Sequence, residues 1–197
     1  MATLALLPVA LFTLTSCSST SEPPPPVGTA SVSYTKGVPG GVIVQTAKMT
    51  ATVTAINHAK RTATLLAPDG KNFAVKVGRE AVNFDQLGVG DRINAVVTQR
   101  MVVSVEQGGT ASADGTAAAA ALAPKGAQPG GEAAVTTQVT AKVIAIDVEK
   151  HTATLEFDNG NIETVVRDDV DLSRQKVGEQ VVYRITQMTA IWVEKPQ

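Results

Sequence analysis

The stretch Thr62-Ala63-Thr64-Leu65 recurs ninety residues later as Thr152-Ala153-Thr154-Leu155. Both stretches alternate threonine with apolar residues, which is the pattern of a half-buried β-strand. Each is followed by a glycine, Gly70 or Gly160, where a tight turn needs a positive φ. The fold is therefore decided by a unit rich in strands that the chain contains twice.

The repetition extends in both directions from this stretch. Upstream, Pro39-Gly40-Gly41 corresponds to Pro129-Gly130-Gly131 at the same offset of ninety. Downstream the offset becomes eighty-eight, and Val89-Gly90-Asp91 corresponds to Val177-Gly178-Glu179. The sequence predicts two copies of one domain, a first repeat at 37–106 and a second repeat at 127–197.

Each repeat has the strand pattern of a small barrel. Runs of Val, Ile, Thr and Phe alternate with polar or small residues, and turn residues separate them. A short turn or helical element at 83–87 interrupts the strands of the first repeat. The predicted strands are 49–57, 62–67, 72–77, 92–98 and 101–106, then 139–147, 152–157, 161–167, 180–187 and 189–194. We expect an all-β fold of two tandem OB-like barrels, each with five to six strands, because closure removes exposed edges.

Two segments outside the repeats have compositions that do not build a core. Residues 18–36 include Pro23 to Pro26, which favours an extended tether. Residues 107–126 are rich in Ala, Gly, Ser and Pro, and they are predicted to be a flexible linker. The alanine run 117–121 within them could form a helical turn or two, although helices that short are marginal.

The N-terminal residues have the pattern of a secretion signal. The apolar run 2–14 is shorter than the roughly 20 residues that a spanning helix needs. It ends in Leu14-Thr15-Ser16-Cys17, which resembles the bacterial lipobox. That resemblance implies a signal peptide at 1–17, a lipid on Cys17 and, because Ser18 follows, an outer-membrane anchor facing the periplasm. The alternatives are an ordinary secretory peptide cleaved nearby, or a buried thiol.

Composition removes several classes of function. The chain has a net charge of −1, and its four Phe, two Tyr and one Trp leave few platforms for stacked bases, so no nucleic-acid partner is expected. One cysteine excludes an internal disulfide, a Cys-rich zinc site and a CxxC redox centre. His58 and His151 fall in hairpin turns and are offset in the repeats, and the acidic residues from Asp168 to Asp171 lack calcium-loop spacing. We expect no enzyme, no catalytic residue, no resident metal and no cofactor.

The two repeats carry opposite charge. Residues 48–106 have eight basic and five acidic side chains, a net charge of +3, whereas 137–195 have seven and ten, a net charge of −3. This difference is either electrostatic complementarity, between the repeats or between neighbouring molecules, or an unselected property of solvated surfaces.

The residues Met188, Ala190 and Trp192 form the candidate partner site. They share a face if the chain stays extended across Thr189. Trp192 is out of phase with the apolar residues beside it, so it is expected to point outward, and tryptophan is enriched where binding energy concentrates. A thioether beside an indole is also similar to small OB-fold copper chaperones, which raises Cu(I) as an alternative ligand.

Five blocks carry a resemblance to a known group of proteins. They are Thr-Ala-Thr-Val-Thr-Ala-Ile (50–56), Pro-Asp-Gly-Lys (68–71), Val-Asn-Phe-Asp-Gln-Leu (82–87), Val-Gly-Asp (89–91) and Gln-Pro-Gly-Gly (128–131). They look like uncharacterised proteobacterial envelope proteins built from tandem OB-like domains of unknown function. The resemblance implies β-barrels in the periplasm and carries over no site residue.

Together these observations favour a non-enzymatic outer-membrane lipoprotein with a binding or structural role in the periplasm. Its expected partners are the membrane, through the anchor, and an envelope protein or the cell wall. The alternative is a periplasmic carrier of a metal ion such as Cu(I) or of a small ligand.

Overall fold

The chain folds into one antiparallel sheet of ten strands. The computed structural model describes residues 27–106 and 113–196. The predicted signal peptide with Cys17, most of the Pro-rich tether and residues 107–112 lie outside the described residues. The strands are β1 (Val27–Ser33), β2 (Gly41–Asn57), β3 (Thr62–Leu66), β4 (Asn72–Lys76), β5 (Arg92–Glu106), β6 (Gly115–Leu122), β7 (Gly130–Asp147), β8 (Thr152–Phe157), β9 (Gly160–Val165) and β10 (Gln180–Glu194).

The predicted all-β class is confirmed. The strands follow one another in the order β4-β3-β2-β5-β10-β7-β8-β9, with β1 added to β2 and β6 added to β7. Short 3-10 helices at Phe84–Gln86 and Leu172–Arg174 follow the fourth and ninth strands. The first of these lies where the sequence predicts a turn or a helical element.

The two repeats meet through β5 and β10. These strands pair antiparallel along their whole length, from Arg92 opposite Glu194 to Glu106 opposite Gln180. Gln99 lies opposite Gln187, which is its own equivalent at the offset of eighty-eight. A pseudo-twofold axis therefore passes between these two residues. The predicted separation into two tandem barrels is not confirmed, because one sheet runs through both repeats.

Each hydrophobic core contains residues from both repeats. The first core is built from Val53, Leu65 and Phe84 of the first repeat, together with Val193 from the end of β10. The second core holds Val143, Leu155 and Val181 of the second repeat, with Val103 and Val105 from the end of β5 packed against it. Each repeat thus completes the apolar interior of the other.

The Val-Gly-Asp turn of the first repeat and the Val-Gly-Glu turn of the second each hydrogen-bond to a bulge in a long strand, β2 or β7. The pairing of β2 with β3 shifts by one residue between Val53 and Ala55, which is a β-bulge, and β7 has the same shift between Val143 and Ala145. The amide of Gly90 donates to the Val53 carbonyl at 2.8 Å, and Gly178 donates to Val143 at the same distance. In both repeats the turn is therefore hydrogen-bonded to the bulge of the long strand.

Three segments differ from the sequence prediction. The strand pairs predicted at 92–106 and 180–194 are single strands, because β5 and β10 pair with each other and with β2 and β7 without interruption. Residues 115–122 of the predicted linker form β6, which pairs with the edge of β7. Residues 27–33 of the predicted tether form β1 on the edge of β2.

Candidate functional site

An apolar cavity of about 600 Å³ lies at the joint between the two repeats. One wall is the first core, including Phe73, Phe84 and Leu87. The opposite wall comes from Ile191 of the second repeat and from Leu122 of β6, which face the same space. The strand order places these walls together, because the end of β10 lies between β5 and the start of β7.

Strand alternation decides which residues reach this cavity. Thr189, Ile191 and Val193 of β10 line it, whereas Ala190 and Trp192 between them do not. On β6, Ala120 and Leu122 line it and Ala119 does not. Successive side chains of a strand point to opposite faces, so one face of the joint forms the cavity and the other faces away from it.

Asn83 bonds the connection between β6 and β7 to the first repeat. Its side chain is 4 % exposed. Its Nδ2 donates to the carbonyls of Ala123 and Pro124 at 3.1 and 2.8 Å, and its Oδ1 accepts from the amide of Gly126 at 3.1 Å. These bonds fix the connection from β6 to β7 over the first core. They also satisfy the Asn83 amide, so it adds no free polar group to the cavity wall.

The pseudo-equivalent cavity, at the other end of the joint, is smaller, at about 400 Å³. Tyr34 lies opposite Gly41 there, as Leu122 lies opposite Gly131 at the first cavity. Arg167 corresponds to Gly78 of the first repeat. Each follows a valine whose amide donates to the carbonyl of a hairpin residue: Val77 donates to Arg61, and Val166 donates to His151. The second cavity is therefore lined by a ring at the Leu122 position and by a guanidinium at the position of Gly78, a residue that does not line the first cavity.

Arg167 and Asp169 hold the connection between β1 and β2. The guanidinium lies 4.0 Å from the centroid of the Tyr34 ring and donates to the carbonyls of Val38, at 2.9 Å, and Gly40. Asp169 accepts from Arg167 Nε at 2.9 Å and from the Gly37 amide at 2.7 Å. Because these donors favour the charged carboxylate, Arg167 first and Gly37 second, they lower the pKa of Asp169 to about 2.

Asp169→Asn should make the stability of the protein less dependent on pH in the acid range. The folded-state pKa of Asp169 lies below its unfolded value, so this carboxylate stabilises the fold above about pH 4 and loses that effect as the pH falls toward 2. The variant should be less stable than the wild type at pH 6, and the difference should shrink at pH 2.5. Urea unfolding at both pH values measures this difference.

Asp168→Asn, at the exposed neighbouring position, is the control and should behave like the wild type. An equal deficit of Asp169→Asn at both pH values would contradict the assignment.

An ion pair between a buried carboxylate and a partly exposed lysine lies at the end of the first repeat. Asp91 is 2 % exposed, and its Oδ2 accepts from Lys195 Nζ at 2.8 Å and from the Gly88 amide at 2.8 Å. Lys195 also donates to the Gln86 carbonyl at 2.6 Å. The cation of this inter-repeat pair belongs to the acidic second repeat, so the pair does not follow the overall charge difference between the repeats.

The predicted partner residues lie together on the face of the sheet turned away from the cavity. The chain stays extended through Thr189, and Met188, Ala190 and Trp192 alternate along β10. Met188 is 55 % exposed and Trp192 is 41 % exposed, with the indole Nε1 donating to Glu194 Oε1 at 3.1 Å. Their role in partner binding stays a prediction.

The two ladder partners of Met188 in the described sheet are not soft ligands for Cu(I). Its neighbours across the ladders are Thr98 on β5 and Ala134 on β7. Among residues 27–106 and 113–196, no group of three or more His, Cys, Asp or Glu side chains is arranged to hold a metal ion. Within the same ranges, no helix has the length and apolar character needed to cross a membrane.

Sequence reasoning missed the cavity and Asn83. The cavity walls come from strands that are far apart in the chain, and Asn83 resembles an ordinary turn residue. A signal for the cavities was available in the residues that differ between equivalent positions of the repeats. Leu122 corresponds to Tyr34, and Gly78 corresponds to Arg167.

Comparison with known proteins gives one structural likeness to report. No protein-family profile matches the chain, and no curated protein matches it. A solved structure of the cytoplasmic molybdate-binding protein ModG, in a form with molybdate bound, aligns with 76 % of this chain and 95 % of its own at 17 % identity. The TM-score is 0.22, and at that value the likeness supports no statement about the fold or the ligand of this chain.

Proposed function

We propose that this chain is a non-enzymatic binding protein of the cell envelope and that it takes up one small apolar ligand in the cavity between its repeats. The observation that carries the proposal is the cavity itself. Its volume of about 600 Å³ falls within the range of about 300–1,000 Å³ typical of small-molecule sites.

The side chains around the cavity define the chemistry of the ligand. Asn83 is occupied by its bonds to the β6–β7 connection, and the Thr50 hydroxyl donates to Asn94 Oδ1 at 3.0 Å. The charged side chains that contribute to the lining, Lys76 and Glu132, are exposed. This arrangement favours a ligand with an apolar body, whose polar end, if it has one, points to solvent.

The difference between the two cavities supports one ligand per chain. The second cavity has Tyr34 and Arg167 in its wall, and Arg167 is engaged with the β1–β2 connection and with Asp169. A ligand there would have to displace these contacts. At the equivalent place in the first repeat, Arg61 donates to the Gly78 carbonyl at 2.7 Å, and neither residue lines the first cavity.

Ala120→Trp should weaken binding in the first cavity. The new indole would project from β6 into the space that the ligand needs, and it should weaken binding of the neutral dye N-phenylnaphthylamine by about tenfold or more, equivalent to about 1.4 kcal/mol. Titration of the dye with the protein, followed by dye fluorescence, measures the affinity.

Ala119→Trp is the matched control, because Ala119 is the next residue on the same strand and does not line the cavity. It should bind the dye like the wild type. Equal binding by both variants would place the dye elsewhere and refute the cavity as the site.

The envelope location rests on the N-terminal sequence. Cys17→Ser removes the thioether attachment that the lipobox resemblance implies, and it should move the protein from the membrane fraction to the soluble periplasm. Fractionation of cells, followed by immunoblotting, tests this expectation. An unchanged distribution would refute the lipid anchor and leave the cavity proposal standing.

The face with Met188, Ala190 and Trp192 is our second proposed contact, for an envelope protein or the cell wall. What favours it is the exposure of a methionine and a tryptophan on one face of β10, with Ala190 between them.

A further inference from the structure

Among residues 27–106 and 113–196, the strands β1 and β6 each have a partner strand on one side only. Among the described residues, β1 pairs with β2 alone and β6 pairs with β7 alone. Every residue of both strands is exposed. Each strand therefore turns one row of backbone donors and acceptors toward solvent.

These two edges differ from the ends of the sheet at β4 and β9. Those short strands carry a charged residue each, Lys76 and Glu163. The strands β1 and β6, with the sequences VGTASVS and GTAAAAAL, contain neither charge nor proline. Their ladders with β2 and β7 are continuous and free of bulges. Charge, proline and bulges are the usual protection of an edge against pairing with another chain, so β1 and β6 lack that protection.

We propose that β6 of one molecule pairs antiparallel with β1 of a second molecule of this chain, so that molecules associate edge to edge in a row. Across the middle of the sheet the order is β1-β2-β5-β10-β7-β6, and every neighbouring pair is antiparallel. The strands β1 and β6 therefore run in opposite directions. A second molecule placed beside the first without rotation brings its β1 antiparallel to β6.

The chemistry of the edges favours this partner over an unrelated protein. The strands match in length, with seven and eight residues, and neither has a charge that would select an oppositely charged segment. The alanine run of β6 is complementary in size to Val27 and Val32 of β1. The inner edges of the repeats already join in the same way, through β5 and β10. Such a contact is head to tail, and each molecule keeps one edge open for the next.

The test is sedimentation velocity of the full chain, made soluble by Cys17→Ser, over a wide range of concentration. The Cys17→Ser chain with unchanged edge strands should have an average molecular mass that rises steadily with protein concentration. Thr29→Lys/Ser31→Lys blocks the β1 edge, and Ala117→Lys/Ala119→Lys blocks the β6 edge. Each double variant alone should stay monomeric. An equal mixture of the two should form dimers and nothing larger, because one free edge of each kind remains.

Gln45→Lys/Gln187→Lys is the control, since it adds the same charge at exposed positions of strands that are paired on both sides. It should assemble like the wild type. Circular dichroism confirms folding, and glutamate replaces lysine at any edge where the lysine variant does not fold. A wild-type chain that stays monomeric throughout would overturn the proposal, as would dimers formed by either edge variant alone or loss of assembly in the control.

Discussion

Residues 27–106 and 113–196, produced as separate fragments, should each fail to form a stable folded monomer and should form the native sheet when mixed. Each fragment lacks side chains that complete its own core, Val193 in one case and Val103 with Val105 in the other. It also loses the ladder of fifteen residue pairs between β5 and β10. Fragments of about 80 residues are near the length below which a single core supplies little net stability.

Circular dichroism and light scattering measure this outcome. Alone, each fragment should be disordered or should associate with itself across the exposed β5 or β10 edge, and the mixture should give a one-to-one complex. A full chain with a protease site placed between 107 and 112, cut after folding, is the control and should retain its spectrum. A fragment that unfolds cooperatively as a monomer would instead support the two autonomous domains predicted from the sequence.

Gly40→Ala should cause the largest loss of stability of any single substitution considered in this chain. Gly40 has φ +91°, and an added Cβ would overlap the carbonyl oxygen of Val103 and lie 2.8 Å from its carbonyl carbon. Both atoms belong to the backbone of β5, which cannot move without breaking its pairing. We expect a loss above about 4 kcal/mol, a size reached only when packing or backbone geometry is violated.

Gly70→Ala separates the two causes of that loss. Gly70 has a comparable φ of +83°, but nothing lies within 4 Å of an added Cβ. The Gly70→Ala variant should therefore lose only the stability of about 1–2 kcal/mol that a positive φ costs a residue with a Cβ. Urea unfolding of both variants measures the difference. Equal losses would show that the close approach to Val103 does not hold in solution.

The same close approach explains why Pro-Gly-Gly occurs in both repeats. A Cβ on Gly130 would lie 2.8 Å from the carbonyl oxygen of Ile191, which is the equivalent of Val103. The repeated motif was visible in the sequence, but its partner was not, because the contact joins residues some sixty positions apart.

Local patterns predicted most of the strands, and the errors have physical causes. The turn predicted between 98 and 101 is absent because Gln99 and Arg100 supply neither a positive φ nor a proline, and pairing on both sides keeps β5 extended. The alanine run of β6 has weak strand propensity, but its backbone pairs with the edge of β7 and is extended for that reason. Tertiary pairing decided both cases.

The candidate site was harder to predict than the strands. The joint depends on β5 meeting β10, and nothing in either strand's own pattern specifies that neighbour. We predicted two separate barrels from the sequence, because each repeat contains a complete set of strands. The alternation around Trp192 was readable, since it depends only on the period of an extended strand.

The pseudo-twofold axis through Gln99 and Gln187 has an evolutionary consequence. A single-repeat ancestor with these strands would close the same sheet as a homodimer, with β5 of one subunit against β5 of its twin. Every substitution in that gene would appear at both ends of the joint. Duplication and fusion release this constraint, so one end can acquire Tyr34 and Arg167 while the other keeps Leu122 and Gly78. The two ends of the joint in a fused chain can therefore differ in sequence, whereas the two ends in a symmetric homodimer cannot.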